Sequence, residues 1–316
     1  MKKIVFSALA LLATASTALS ADLPARTMAP APAPAYVDDL IFGSVTAGIK
    51  AFWVPDQYDT QSLFAPLATL GGKFTYQLPD RSVGFQLDAN FAGSSTDVMN
   101  PNARNTVYVY SYGAAAHLFT RAITDAKLGV FVSADWLGGR AASGKGSMSF
   151  PMVRGGVEGQ YAYTPNLLLR AHFGMGQTSM SGSAGFGGRI TATEVFGGVG
   201  VTYALNEAWR IGADINLNNA YSLHVPNGGN ASLSAGLMDL SGFAEYRLAT
   251  MPLTLRGELG WLKPISFDDT LNSKTTRYNA FHTKLSLRYE FGGNPARQSP
   301  LVDSEFTTQQ FLMGSR

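Results

Sequence analysis

The segment that most restricts the fold is residues 278–291, YNAFHTKLSLRYEF. In its second half Leu285, Leu287, Tyr289 and Phe291 share one parity, and Lys284, Ser286, Arg288 and Glu290 share the other. Side chains of an extended chain alternate between faces, so this is a strand with one dry face and one polar face. Alternation alone does not name the solvent, because a sheet packed on a water-soluble core alternates as well.

Similar segments recur along the chain. Including the last one there are twelve: residues 43–54, 68–78, 82–91, 106–119, 126–136, 152–163, 167–175, 190–203, 209–217, 236–248, 253–261 and 278–291. Most have the length of a tilted strand that crosses a bilayer, about 9–11 residues plus overhang. The connections at 79–81, 120–125, 164–166, 204–208 and 249–252 are short turns. The intervening ones are longer, about 11–18 residues, and rich in Gly, Ser, Asn and Asp, so short and long alternate as in a membrane barrel. The fold class expected is all-β: a transmembrane antiparallel up-and-down β-barrel of about twelve strands, with both termini periplasmic.

The aromatics support this order. With the first strand ascending, Trp53, Trp136 and Trp261 fall at outer ends of odd strands. Tyr76, Tyr161, Tyr163, Tyr203, Tyr246 and Tyr289 fall at inner ends of even strands, and Trp209 joins the inner set. Two interfacial girdles result, an ordering that a soluble β-sandwich does not predict. The 34 Gly, the absence of Cys and the 15% charged residues suit such a barrel. With Lys plus Arg at 24 against 22 for Asp plus Glu, there is no basic surface for nucleic acid.

The chain begins with Lys2 and Lys3, an apolar run over 4–13 and small residues to Ala18-Leu19-Ser20. This reads as a cleaved signal peptide, residues 1–20, whose apolar run is too short for a permanent spanning helix. No later run approaches the roughly 18 apolar residues that a spanning helix needs. The domains expected are therefore the signal peptide, a Pro/Ala-rich periplasmic leader over 21–42, the barrel over 43–291 and a periplasmic tail over 292–316. The alternating Pro and Ala favour an extended polyproline conformation. The tail reads as a flexible extension, with a fold-back plug as the alternative.

Two resemblances bear on localisation. Alternating apolar residues closing on Tyr289 and Phe291 resemble the C-terminal strand by which bacterial outer-membrane β-barrels are recognised for insertion, although here a tail follows Phe291. The signal peptide followed by Ala21-Asp22-Leu23-Pro24, Ala25-Arg26-Thr27 and a Pro/Ala tract resembles the start of many alphaproteobacterial outer-membrane proteins. This likeness covers about the first 35 residues, and the aromatic-rich first strand of the small eight-stranded members is not found after Tyr36. It implies residence in the outer membrane of a Gram-negative bacterium, with lipid, lipopolysaccharide and the barrel-assembly machinery as partners. In several such families a mature N-terminal Ala-Asp is joined to the peptidoglycan stem peptide, and Ala21 and Asp22 match that dipeptide. A plain disordered leader is the other reading.

With the lipid face assigned to Leu87, Val130, Val132, Leu169, Ile211, Ile215, Leu255 and Leu259, the opposite parity is charged. It carries Lys50, Lys73, Lys127, Arg154, Arg170, Arg210, Arg247, Arg256, Lys284 and Arg288, with Asp88, Asp135, Glu158, Glu194, Asp214, Asp239, Glu245, Glu258 and Glu290. Either these charges fill a narrow barrel as salt bridges, or they line a water-filled path that selects solutes. The function expected is a narrow porin-like channel for small hydrophilic solutes. The alternatives are a structural barrel tethered to peptidoglycan through its N-terminus, and a surface adhesin or receptor. Loop aromatics Tyr58, Phe64, Phe186 and Tyr221 suit a ligand or simple loop packing. A homo-oligomer is left open.

Enzyme chemistry is not expected. GRAASGKG, residues 139–146, lacks the hydroxyl residue and the following helix of a phosphate-binding loop, and no G-x-S-x-G occurs. No cofactor or metal site is expected from a chain without Cys and with isolated histidines. His117 is placed near a periplasmic turn, His172 and His282 on the lumen face, and His224 in an outer loop.

Overall fold

The computed structural model describes residues 41–54, 63–78, 83–100, 103–123, 125–141, 147–182, 190–224, 235–267 and 279–292. The expected signal peptide, the expected leader with Ala21 and Asp22, and the expected tail beyond Gly292 lie outside them, as do Tyr58 and Phe186.

Twelve strands follow one another: β1 (Ile41–Val54), β2 (Leu63–Gln77), β3 (Val83–Asn100), β4 (Ala103–Ile123), β5 (Ala126–Ala141), β6 (Ser147–Thr164), β7 (Leu167–Gly182), β8 (Ile190–Ala204), β9 (Trp209–His224), β10 (Ala235–Arg247), β11 (Leu253–Phe267) and β12 (Ala280–Phe291). Each pairs antiparallel with its sequence neighbours, and β12 returns to β1 to close the barrel. The seam runs from Gly43 opposite Phe291 to Trp53 opposite Phe281, so the chain enters and leaves the barrel at the same end. Closure leaves no edge strand, which is the condition for placing backbone N–H and C=O groups in hydrocarbon.

The alternation turns into two surfaces. Along β12 the side chains at 281, 283, 285, 287 and 289 are exposed while those at 282, 284 and 286 are buried. Outward residues such as Ile49, Val132, Val157, Val199 and Leu259 expose more than half of their surface. Apolar exposure on that scale belongs against lipid. Aromatics border the band: Trp53 lies 5.9 Å from Phe281 and Tyr112 6.1 Å from Trp136 on one side. Trp209 lies 4.8 Å from Tyr246 on the other.

The strand limits differ from expectation at the end away from the termini. There β3 continues to Asn100, β5 to Ala141, β7 to Gly182, β9 to His224 and β11 to Phe267, while β2 begins at Leu63 and β6 at Ser147. The long outer connections therefore shrink, and residues 101 and 102 alone separate β3 from β4. Beyond the bilayer both faces of a hairpin meet water, so the polar alternation that marks a strand in sequence vanishes while the backbone ladder continues. Phe64, Tyr221 and His224 accordingly stand in strands, and Gly139–Ala141 of the rejected phosphate-loop match belong to β5. At the inner end β4 runs to Ile123, with a register shift between Thr120 and Ile123 that leaves only 124 and 125 for the turn.

Candidate functional site

Among the described residues charge collects on the inner face of the barrel. Lys50, Asp88, Lys127, Asp135, Arg154, Glu158, Glu194, Asp214, Glu245, Glu258 and Lys284 are all buried there, and Lys73, Arg170, Arg210, Asp239, Arg247, Arg256, Arg288 and Glu290 are half-buried. Buried ions are tolerated only when partners satisfy them, so the useful question is who meets whom.

From β2 to β9 three pairs join strands two apart, beside shorter contacts on one strand or between adjacent ones. His117 on β4 is almost inaccessible, at 1% exposure, and its Nδ1 lies 2.6 Å from Glu158 Oε1 on β6. Its Nε2 lies 3.4 Å from Asp88 Oδ2 on β3. Asp88 also accepts a hydrogen bond from Gln86 Nε2 at 2.6 Å and lies 4.0 Å from Lys73 Nζ. A second group centres on Arg154 of β6, whose Nε donates to Glu194 Oε1 on β8 at 2.5 Å. The guanidinium also reaches Asp135 Oδ2 on β5 at 3.5 Å, and Asn218 Nδ2 donates to Glu194 Oε2 at 3.0 Å. A third pair joins Arg170 Nη2 of β7 to Asp214 Oδ1 of β9 at 2.9 Å.

The His117–Glu158, Arg154–Glu194 and Arg170–Asp214 contacts cross an intervening strand, which a side chain pointing into the lumen would block. At each crossing the sequence supplies glycine. A Cβ on Gly129 of β5 would lie 3.3 Å from Glu158 Oε1. One on Gly176 of β7 would fall between Arg154 and Glu194, 2.7 Å and 2.9 Å from them. On Gly200 of β8 it would collide with the Asp214 carboxylate and crowd Arg170. Glycine here opens a passage along the wall, so that long side chains lie flat across a strand.

On β9 to β12 the partners are mixed, some on the same or adjacent strands and others across β11. Glu245 of β10 receives Arg256 of β11 at 3.0 Å, Arg288 of β12 at 3.5 Å and Arg210 of β9 at 3.9 Å. Arg256 also donates to Glu258 Oε2 at 2.9 Å and lies over the Phe243 ring, 3.7 Å from its centre. Arg288 Nε donates to Glu290 Oε1 at 3.1 Å, and Arg247 Nη2 donates to Glu290 Oε2 at 3.4 Å. Higher up, His282 Nε2 lies 3.0 Å from Asp239 Oδ1 across Gly260 of β11, a strand that the Arg288–Glu245 and Arg247–Glu290 pairs cross as well.

Three lysines have aromatic or like-charged surroundings. Lys127 Nζ lies 4.7 Å from the Phe119 ring centre and Lys50 Nζ 5.0 Å from that of Phe52. Lys50 and Lys284 stand directly opposite each other across the closing seam.

His117 is the main residue that sequence reasoning misplaced. Expected near a turn, it stands well inside β4, because that strand runs on to Ile123. Its parity with Ala115 and Phe119, both buried, was the available signal. The crossing glycines went unremarked because glycine reads as a gap in an alternating pattern. Among the described residues no group of His, Asp or Glu is arranged to hold a metal ion.

Comparison with known proteins agrees with this geometry. The family model described as Outer membrane protein beta-barrel domain matches residues 112–239. No curated protein matches the chain. Among solved structures, the translocator domain of autotransporter NalP from Neisseria meningitidis is similar at 11% identity and a TM-score of 0.51, over 79% of this chain and 88% of that one. The deltaS2S3 mutant of TodX, a monoaromatic hydrocarbon channel of Pseudomonas putida, follows at 13% identity and 0.46, over 80% and 91%. The loop L8 deletion mutant of OmpT from Vibrio cholerae follows at 11% and 0.37, over 79% and 98%. At 11% identity the likeness to the NalP domain concerns the fold alone. With a closed barrel, a lipid-facing band, two girdles and the domain match over its middle strands, the chain is a bacterial outer-membrane β-barrel protein, resident in the outer membrane of a Gram-negative cell.

Proposed function

We propose that this barrel is a structural anchor with a filled lumen, holding surface hairpins on one side of the outer membrane and a periplasmic leader on the other. The observation that carries the proposal is the burial of the charged network: Arg154 and Glu194 are each 3% exposed and His117 1%, although all face the interior of the barrel. Charges that line a wide aqueous path stay wetted, whereas these are packed on one another out of water. The leader suits the anchoring role, with Ala21 and Asp22 as the point of attachment to peptidoglycan.

The test is single-channel recording of the refolded exported chain, residues 21–316, in planar bilayers. The anchor reading expects a folded barrel without discrete conductance, and muropeptides carried on Ala21 in mass spectra of wall digests. Uniform conductance steps overturn it. A second reading, the narrow channel for small hydrophilic solutes, is favoured by one feature: the side chains of Arg210, Arg247, Arg256 and Arg288 keep 12–26% exposure along one wall. On that reading neutralising Arg288 changes the ion preference of the steps.

A further inference from the structure

The outer girdle is uneven. On β4 the outward residues Ala114, Ala116 and Leu118 are aliphatic, and above them come three tyrosines at consecutive outward positions, Tyr112, Tyr110 and Tyr108. No other strand carries three in succession among the described residues. Tyr112 lies in the girdle beside Trp136. Tyr110 and Tyr108 stand about 7 and 14 Å further along the strand, beyond the hydrocarbon edge that the girdle marks.

These rings form an ordered array. Tyr110 and Tyr112 are parallel within 3°, with centres 6.5 Å apart, and Tyr112 and Trp136 are parallel within 6°. Tyr110 is flanked by Gly93 on β3 and Gly138 on β5. A Cβ on Gly138 would collide with the end of the Tyr110 ring, so the ring leans across β5 over a position that only glycine leaves free. Tyr108, Tyr110, Tyr112 and Trp136 remain 37–48% exposed. The exposed Arg140 stands opposite Tyr108.

We infer that this tyrosine ladder on β4, with Arg140, is a docking surface for the sugar-phosphate core of outer-leaflet lipopolysaccharide. The surface is continuous with the lipid interface, so its occupant is the molecule whose acyl chains already touch the barrel. Directly above the hydrocarbon edge that molecule presents pyranose rings and phosphates. Parallel aromatic faces suit the C–H faces of sugar rings, phenolic hydroxyls suit a wet polar layer, and a guanidinium binds phosphate through paired N–H donors. Acyl chains alone would be served equally well by the aliphatic residues found lower on the strand.

The experiment titrates the refolded exported chain in nanodiscs with purified lipopolysaccharide bearing core sugars, and separately with lipid A lacking them. The ladder predicts that the core-bearing form binds about tenfold more tightly. Tyr108→Ala/Tyr110→Ala removes that preference, Tyr108→Phe/Tyr110→Phe retains it, and Arg140→Gln weakens both forms. Phe281→Ala, in the same girdle but away from β4, leaves the preference intact. Should the double alanine variant fail to fold by heat-modifiability on gels, Tyr108→Ala alone, outside the girdle, gives the reading and should lower the preference. Equal affinity of the unaltered protein for both lipids overturns the inference, and so does an equal loss in Phe281→Ala.

Discussion

The two walls of the lumen use the same residue types and reach different states. From β2 to β9 three pairs cross a glycine and lie flat, and Arg154, Glu194, His117 and Glu158 are buried. From β9 to β12 three arginines converge on Glu245 from adjacent and next-but-one strands, and the arginines stay half-buried. The difference teaches that depth of burial here follows room for the partner rather than charge. Arg154 and Glu194, with Gly176 between them, leave water together; where three cations crowd Glu245, part of each guanidinium stays outside.

That contrast can be broken or sharpened by substitution, with stability read from urea unfolding of the refolded barrel. The largest effect belongs to Arg154→Met, which leaves Glu194 and Asp135 buried without their cation and should cost about 3–5 kcal/mol. A loss no larger than that of Arg247→Gln would erase the distinction between the walls. Gly176→Val closes one crossing, since its Cβ would meet both partners and the Val153 carbonyl. The expected loss is about 1–3 kcal/mol, whereas valine at Gly257, where a Cβ meets nothing nearby, should be tolerated.

Glu245→Gln should cost somewhat less, about 1–2 kcal/mol, because the half-buried arginines regain water. Its effect should also shrink in 1 M salt, where the screening length falls to about 3 Å, while that of Arg154→Met persists. Equal salt sensitivity in the two variants would show that the walls share one dielectric environment. The smallest change is expected from Arg247→Gln, within about 1 kcal/mol, as for an exposed pair.

Much of the architecture was legible in the chain. The parity of Leu285, Leu287 and Tyr289 against Lys284, Ser286 and Arg288 separates two solvents, and a barrel in lipid obeys that separation over its whole spanning height. The outer limits were not legible, because residues such as Ser94 and Ser95 of β3 meet water on both faces and carry no alternation to read. The pairs were not legible either. Arg154 and Glu194 lie 40 residues apart, and their contact depends on the register of β6, β7 and β8 together with Gly176 between them. His117 illustrates both failures: its strand was read as ending too soon, and its two carboxylates come from β3 and β6.

What the sequence determined by itself was the strand number, the two faces and the two girdles. Each is a local property of an extended chain whose neighbouring side chains point to opposite solvents. What only the tertiary structure decided was which charges meet, which glycines serve as crossings, and that tyrosines of β4 form one array with a tryptophan of β5. Those depend on register and closure, which bring residues tens of positions apart to within hydrogen-bonding distance. No pattern within a single strand encodes that choice.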